Sequence, residues 1–402
     1  MALRYLPLLG LPLMANAEPW QFSAPVTVSD QHGEKLFHHL ESSGRRNIAV
    51  SGDTVAVAWE DDRDSTPRIY LARKSISETG FAPSLCLSGE GEAYEPSLVA
   101  LDEGRFALAW EEDGRVRLRL VSGEDAGATV SLPAKASAQP SLLYTDGELL
   151  LVAAEREGRF PRIHFHRFAV DGNHLTHRHG CDVDVAPPQD EQLYPTLARQ
   201  QGVTVVAWED RRPGHTIIMA SEGLAGEACR FTPPKRISLR PQRSGGGGMP
   251  YGRGHGVARV AMAASGNKAI LATWADKRDF REGYDIYAAH WQSNSGFGEN
   301  VRVQDEFGGV ALQWHASVAG DSEGNLIVAW DDGRDGNANV MVSWYDGSEW
   351  SEDLVLPGAD GPGEQVHPTI TLDGEGNLHA AWVERDTVGG PTRLRYLFGR
   401  HE

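Results

Sequence analysis

The feature that most limits what this chain can fold into is a phrase it repeats seven times. A Pro-Ser-Leu-like opening, a turn, an alternating apolar strand and an Ala-Trp-Glu-Asp-like ending recur along it. The endings fall at Trp59, Trp110, Trp208, Trp274, Trp330 and Trp382, with Ala154 holding the place in the segment Ala153-Ala154-Glu155. Copies are spaced by roughly 44 to 66 residues, the period of a four-stranded propeller blade. The second strand of each copy is a near-continuous apolar run, such as Thr54-Val55-Ala56-Val57-Ala58-Trp59 or Val203-Thr204-Val205-Val206-Ala207-Trp208. Strands of that kind are covered on both faces, as stacking of successive blades demands. Turns such as Asp373-Gly374-Glu375-Gly376-Asn377 supply the residues that tolerate positive φ between first and second strands.

The segment from Trp20 to Val28 has the pattern of a fourth strand but precedes the first copy. It reads as the outer strand of the last blade, closing the ring and removing a free sheet edge. The expected fold is therefore all-β: a seven-bladed β-propeller of four-stranded antiparallel blades, closed by an N-terminal strand, forming one domain over residues 18–402. Residues 1–17 read as a signal peptide: Arg4, an apolar run from Tyr5 to Met14, then Ala15-Asn16-Ala17. The mature chain is expected to be secreted or periplasmic. No later segment is long and apolar enough for an integral membrane segment. The formal charge of -18 argues against nucleic acid as a partner, since that requires a basic surface. Three cysteines, Cys86, Cys181 and Cys229, allow one disulfide and a free thiol without selecting the pair.

Four copies carry Trp-x-Asp-x-Arg: Trp59-Asp61-Arg63, Trp208-Asp210-Arg212, Trp274-Asp276-Arg278 and Trp330-Asp332-Arg334. Chemistry at a single site does not need four copies, so the phrase reads as an Asp-Arg pair fixing the loop after the second strand. With outer-strand endings such as Asp346-Gly347-Ser348-Glu349-Trp350-Ser351, these phrases make the chain resemble the sialidase-like, or BNR-repeat, β-propeller superfamily over essentially all of residues 18–402. The resemblance extends more loosely to propeller-type polysaccharide lyases and rhamnosidases. It departs from sialidases in lacking a complete Ser-x-Asp-x-Gly-x-x-Trp box and the Phe/Tyr-Arg-Ile-Pro signature, and seven copies exceed the six blades of that family.

Positions that break the repeat carry the functional expectation. The innermost strands open near Arg45, Glu95, Gln139, Tyr194, Arg259, His315 and His367, a ring of polar groups expected around one mouth of the channel. His38 or His39 and His255 lie just upstream of two of them. The glycine-rich stretch from Arg243 to His255 opens onto the same mouth and reads as a lid. A second group comprises His164, His166, His174, His177 and His179, followed by Cys181, Asp182 and Asp184.

Three functions follow. The resemblance implies a carbohydrate-active lyase or glycosidase acting on a saccharide, most readily an anionic one. In the lyase form His255 or His315 is the base, Tyr194 the acid, and Arg45 and Arg259 the carboxylate clamp, with Glu95, Gln139 and His367 completing the ligand-binding ring. The alternative is a non-catalytic propeller recognising a glycan or protein through the same mouth. The third is a Cu- or Zn-binding protein using His39, His255, His315 and His367, or instead His164, His166, His177 and His179 with Cys181.

Overall fold

The computed structural model describes residues 20–30, 36–40, 44–224, 229–239, 256–266, 269–278, 283–305 and 309–401. They form seven antiparallel sheets of four or five strands, and every described element is a strand. No helix among them is long and apolar enough to cross a membrane. The expected seven-bladed propeller is thus the observed fold. The signal-peptide segment, His255 and the glycine-rich lid lie outside the described residues.

Each blade runs outward from an innermost strand. These are Ile48–Ser51 (preceded by His38–His39), Ala93–Ala100, Ser137–Thr145, Gln192–Gln200, Val257–Ser265, Gln313–Gly320 and Glu364–Leu372. The ring closes as expected from the N-terminal segment. Trp20–Phe22 and Val26–Ser29 pair antiparallel with Thr392–His401, placing Trp20 opposite His401 and Val26 opposite Tyr396.

The core is divided into seven layers, one between each pair of adjacent blades. At the closure, Val57, Trp59 and Tyr70 of the first blade pack with Ala381, Val383 and Tyr396 of the last. The repeated tryptophan is wholly buried in six blades. In the four Trp-x-Asp-x-Arg copies its indole N–H donates to the aspartate two residues on, as from Trp59 to Asp61 at 2.7 Å and from Trp274 to Asp276 and Trp330 to Asp332 at 3.0 Å. The following arginine closes on the same carboxylate, as in Arg212 with Asp210 and Arg334 with Asp332, both at 2.7 Å. The Trp-Asp-Arg phrase is scaffold.

In the third blade the register corrects the sequence alignment. Ala153 pairs with His164 where Trp59 pairs with Tyr70, so Ala153, and not Ala154, stands in the tryptophan position. The cysteine pair is also decided: Cys181 bonds Cys229, and Cys86 is free and exposed.

A second repeated device positions the mouth. The innermost strand of each of the last six blades carries a bulge near its start, for example between Tyr94 and Ser97 or between Trp314 and Ser317. The bulged residues Glu95, Gln139, Tyr194, Arg259, His315 and His367 all take positive φ, from 49° to 60°. In the first blade the left-handed residue is Gly44, at φ 78°, ahead of Arg45. A bulge re-aims its side chain off the regular alternation of the strand. Six left-handed residues that are not glycine cost about 1 kcal/mol or more each, and strain of this kind collects at functional sites.

Candidate functional site

The bulges bring the sequence-predicted ring together. Arg45 pairs with Glu95 of the next blade at 2.5 Å, and its guanidinium lies 5.6 Å from the Tyr194 ring centroid, three blades on. Arg259 stacks on the same ring at 3.4 Å. Side chains therefore touch across the mouth. Deeper in, Arg46 donates to the Met262 carbonyl across the channel at 3.1 Å, beside a cavity of about 170 Å³.

Five of the six strained backbone N–H groups on the ring have a dedicated side-chain acceptor, and four of these acceptors are carboxylates that sequence reasoning passed over. Glu60 accepts from Glu95 N at 3.2 Å, Glu111 from Gln139 N at 2.6 Å, Glu209 from Arg259 N at 2.7 Å and Asp331 from His367 N at 3.4 Å. Between the third and fourth blades, where Ala154 supplies no carboxylate, the Gln139 side-chain oxygen accepts from Tyr194 N at 2.8 Å. All four acids follow the repeated tryptophan directly, at the x of Trp-x-Asp. The signal was there: that position is acidic in four copies and Ala154, Ala275 or Val383 in the rest.

Glu111 is chemically distinct. Burial, then the charge of Glu95 and a hydrogen bond to it, push its carboxyl up to about 8. Two carboxyl groups share one proton here, which with burial is what raises the Glu111 carboxyl.

The mouth is imidazole-rich at the sixth, seventh and first blades. His315 Nδ1 lies 2.8 Å from Asp331, and the His315 and His367 rings face each other at 3.9 Å and 35°. His39 meets His367 edge-on at 5.4 Å and lies 3.7 Å from Glu60. Burial, then the neighbouring His315 and His39, hold His367 well below its ordinary value, so it is neutral at pH 7. Rings stacked in this way present faces and not lone pairs to one another. Among the described residues, His39, His315 and His367 form no group of converging metal donors. His38 belongs to the scaffold: it is buried, with Nε2 2.8 Å from Ser29 Oγ and Nδ1 3.1 Å from the Thr392 carbonyl. Trp314, beside His315, is packed edge-on by Tyr284 at 4.3 Å; both rings are half-buried.

The second histidine group is brought together in part. His164, His166 and Glu155 have donor atoms within 4.8 Å of one another, and His177 Nε2 approaches His166 Nδ1 to 3.0 Å. Two expected members drop out. The bulge between Arg167 and Phe168 pairs His177 with Phe168 but His179 with Arg167, turning His179 to the other face. Cys181 is consumed by its disulfide and is no ligand.

No protein-family model and no curated protein matches the sequence. Solved structures do match in fold. A Penicillium chrysogenum α-L-arabinanase complexed with arabinobiose aligns at a TM-score of 0.51 and 12% identity, over 76% of this chain and 92% of that one. The GH93 α-L-arabinofuranosidase of Fusarium graminearum, also with arabinobiose, aligns at 0.51 and 11% over the same shares. The β-propeller domain of the Trilobed protease from Pyrococcus furiosus, described as having an open velcro topology, aligns at 0.52 and 12% over 92% and 94%. At these identities the likeness is one of fold: the chain shares its architecture with propeller enzymes of more than one chemistry.

Proposed function

We propose that the channel mouth binds a saccharide and hydrolyses a glycosidic bond, with Glu111 as the general acid. The observation that carries this reading is the Glu95–Glu111 pair, which keeps one carboxyl protonated at neutral pH where a leaving glycosidic oxygen needs a proton. Glu60, Glu209 and Asp331 offer the second carboxylate such a reaction requires. The half-buried Trp314 and Tyr284 offer aromatic surface for the apolar face of a sugar ring. Two of the structural neighbours are complexes with arabinobiose, which makes arabinose-containing oligosaccharides the first substrates to try.

Charge selects among saccharides. The mouth sets Arg45 and Arg259 against the carboxyl groups of Glu60, Glu95, Glu111, Glu209 and Asp331. Arg45 is engaged by Glu95, and Arg259 lies on Tyr194 with Glu209 at 4.0 Å. A uronate would meet more negative than positive charge there, so this reading replaces the anionic ligand and its lyase clamp with a neutral saccharide. Export remains part of the proposal, and the Cys181–Cys229 disulfide supports an oxidising compartment.

The test is turnover of neutral oligosaccharides and nitrophenyl glycosides by wild type and by Glu111→Gln. Loss of the acid should lower kcat/KM by about 10²–10⁴-fold on oligosaccharides and much less on nitrophenyl glycosides, whose leaving group needs no proton. Equal activity of Glu111→Gln on both classes sinks the assignment. Saccharide binding by wild type without turnover identifies the non-catalytic recognition module instead.

A further inference from the structure

The third blade breaks the repeat in a way the mouth does not use. Where other blades put the tryptophan ring, this one has Ala153, and the space faces the second blade. Glu155 takes the place of the latch aspartate. Its would-be arginine partner, four residues beyond Ala153, is Glu157. Two imidazoles from the third strand, Arg162–Asp171, fill the vacated volume: His166 with a side chain 1% exposed and His164 with 23%.

Each imidazole is oriented by its own carboxylate. Glu155 Oε1 lies 2.8 Å from His166 Nε2, and Asp182 Oδ1 lies 3.1 Å from His164 Nδ1. Carboxylates accept, so those nitrogens carry the protons and the lone pairs stand on His166 Nδ1 and His164 Nε2. Both point at Gly180 on the facing strand, His174–Asp182. A Cβ built on Gly180 would sit 3.0 Å from each. Gly180 is not among the residues with positive φ, so its backbone does not call for glycine; the space in front of the two nitrogens does. His177 Nε2 enters the same space from that strand, 3.0 Å from His166 Nδ1.

We propose that His164 Nε2, His166 Nδ1 and His177 Nε2 form a binding site for a borderline divalent metal ion, Cu²⁺ or Zn²⁺, on the flank of the third blade. Three neutral imidazoles with carboxylates behind two of them are the donor set such ions prefer over Mg²⁺ or Ca²⁺. Donors about 2.0–2.1 Å from a tetrahedral ion stand about 3.3 Å apart, close to the His166–His177 separation of 3.0 Å. On binding, His177 moves its ring proton from Nε2 to Nδ1 and the ion takes the vacated lone pair, so neutral His177 releases no net proton. His177 and Gly180 lie on an exposed strand, which leaves one coordination position open to solvent or to an exogenous ligand. The Cys181–Cys229 disulfide, adjacent to Gly180, ties that strand down.

The experiment titrates Cu²⁺ and Zn²⁺ into the untagged chain by calorimetry and follows Cu²⁺ by electron paramagnetic resonance. We expect one tight equivalent per chain, with hyperfine coupling to imidazole nitrogen. His166→Ala and Gly180→Val should each weaken it at least 100-fold, the latter by filling the space while keeping every ligand. Glu155→Gln should weaken it about tenfold through orientation alone. The mouth variant His39→Ala/His315→Ala should leave it unchanged. Circular dichroism and thermal melting of each variant separate loss of the site from loss of the fold. Because Gly180 is on an exposed strand, Gly180→Val keeps the test decisive if His166→Ala does not fold. Absence of a tight equivalent, tight binding that survives Gly180→Val, or loss in the mouth variant would overturn the proposal. None of these results bears on turnover at the mouth, which fails or stands on Glu111.

Discussion

Glu111 occupies the x of its Trp-x-Asp-like phrase, and its environment sets both its chemistry and its effect on stability. The folded chain holds the proton up to about pH 8, whereas an unfolded carboxyl releases it near 4.5. Its contribution is therefore full below about pH 4.5 and is lost as pH rises through 8. Glu111→Gln should gain stability relative to wild type as the pH is raised from 5 to 9, read by urea denaturation at each pH. A difference that does not change with pH would contradict the raised carboxyl. His367 acts with the opposite sign: held neutral below its ordinary 6.5, it makes the fold less stable as pH falls below that value. The ring residues could be picked out from the sequence because each opens the first strand of its copy, six of the seven standing two positions before a Ser, Thr or Ala. Glu60, Glu111, Glu209 and Asp331 escaped because they sit inside a phrase already explained as scaffold. Their role depends on the backbone N–H each one faces in the next blade, and no single copy of the repeat contains that contact.

At the scale of the element, the innermost strand matters through its bulge. Left-handed backbone at six consecutive equivalent positions aims six side chains at one mouth, and a carboxylate or amide oxygen from the preceding blade caps five of the strained amides. This inverts a familiar substitution order. In an ordinary strand glycine is less stable than alanine, but at His315, with φ 49°, His315→Gly should exceed His315→Ala by about 1 kcal/mol. Thermal or urea denaturation of the pair measures it, and the usual order with alanine ahead would argue against strain at the mouth. The repeat period and the apolar second strands were readable because they rest on patterns local to each copy. The bulges were not, since a bulge is a mismatch in pairing between two strands.

Across the whole molecule, stability rests on seven inter-blade layers that are complete only when the ring is closed. Trp20, 5% exposed, packs edge-on against Trp344 at 5.4 Å and donates to the Gly376 carbonyl at 3.3 Å. A chain beginning at residue 18 should be monodisperse. One beginning at residue 30 exposes the edge of Thr392–His401 and part of the last apolar layers, and should melt earlier and self-associate. Light scattering with thermal melting decides this, and equal behaviour of the two chains would show that the closing strands are dispensable.

The sequence by itself determined the blade number, the closing strand and the scaffold role of Trp-Asp-Arg, because each is a pattern within one copy or between identical copies, and burial of such patterns admits few solutions. Only the tertiary structure decided the cysteine pair, the Glu95–Glu111 proton, the stacking of His315 on His367, and the separation of His177 from His179. Each depends on which atoms meet across two strands or two blades, where an ångström or one residue of register changes the partner.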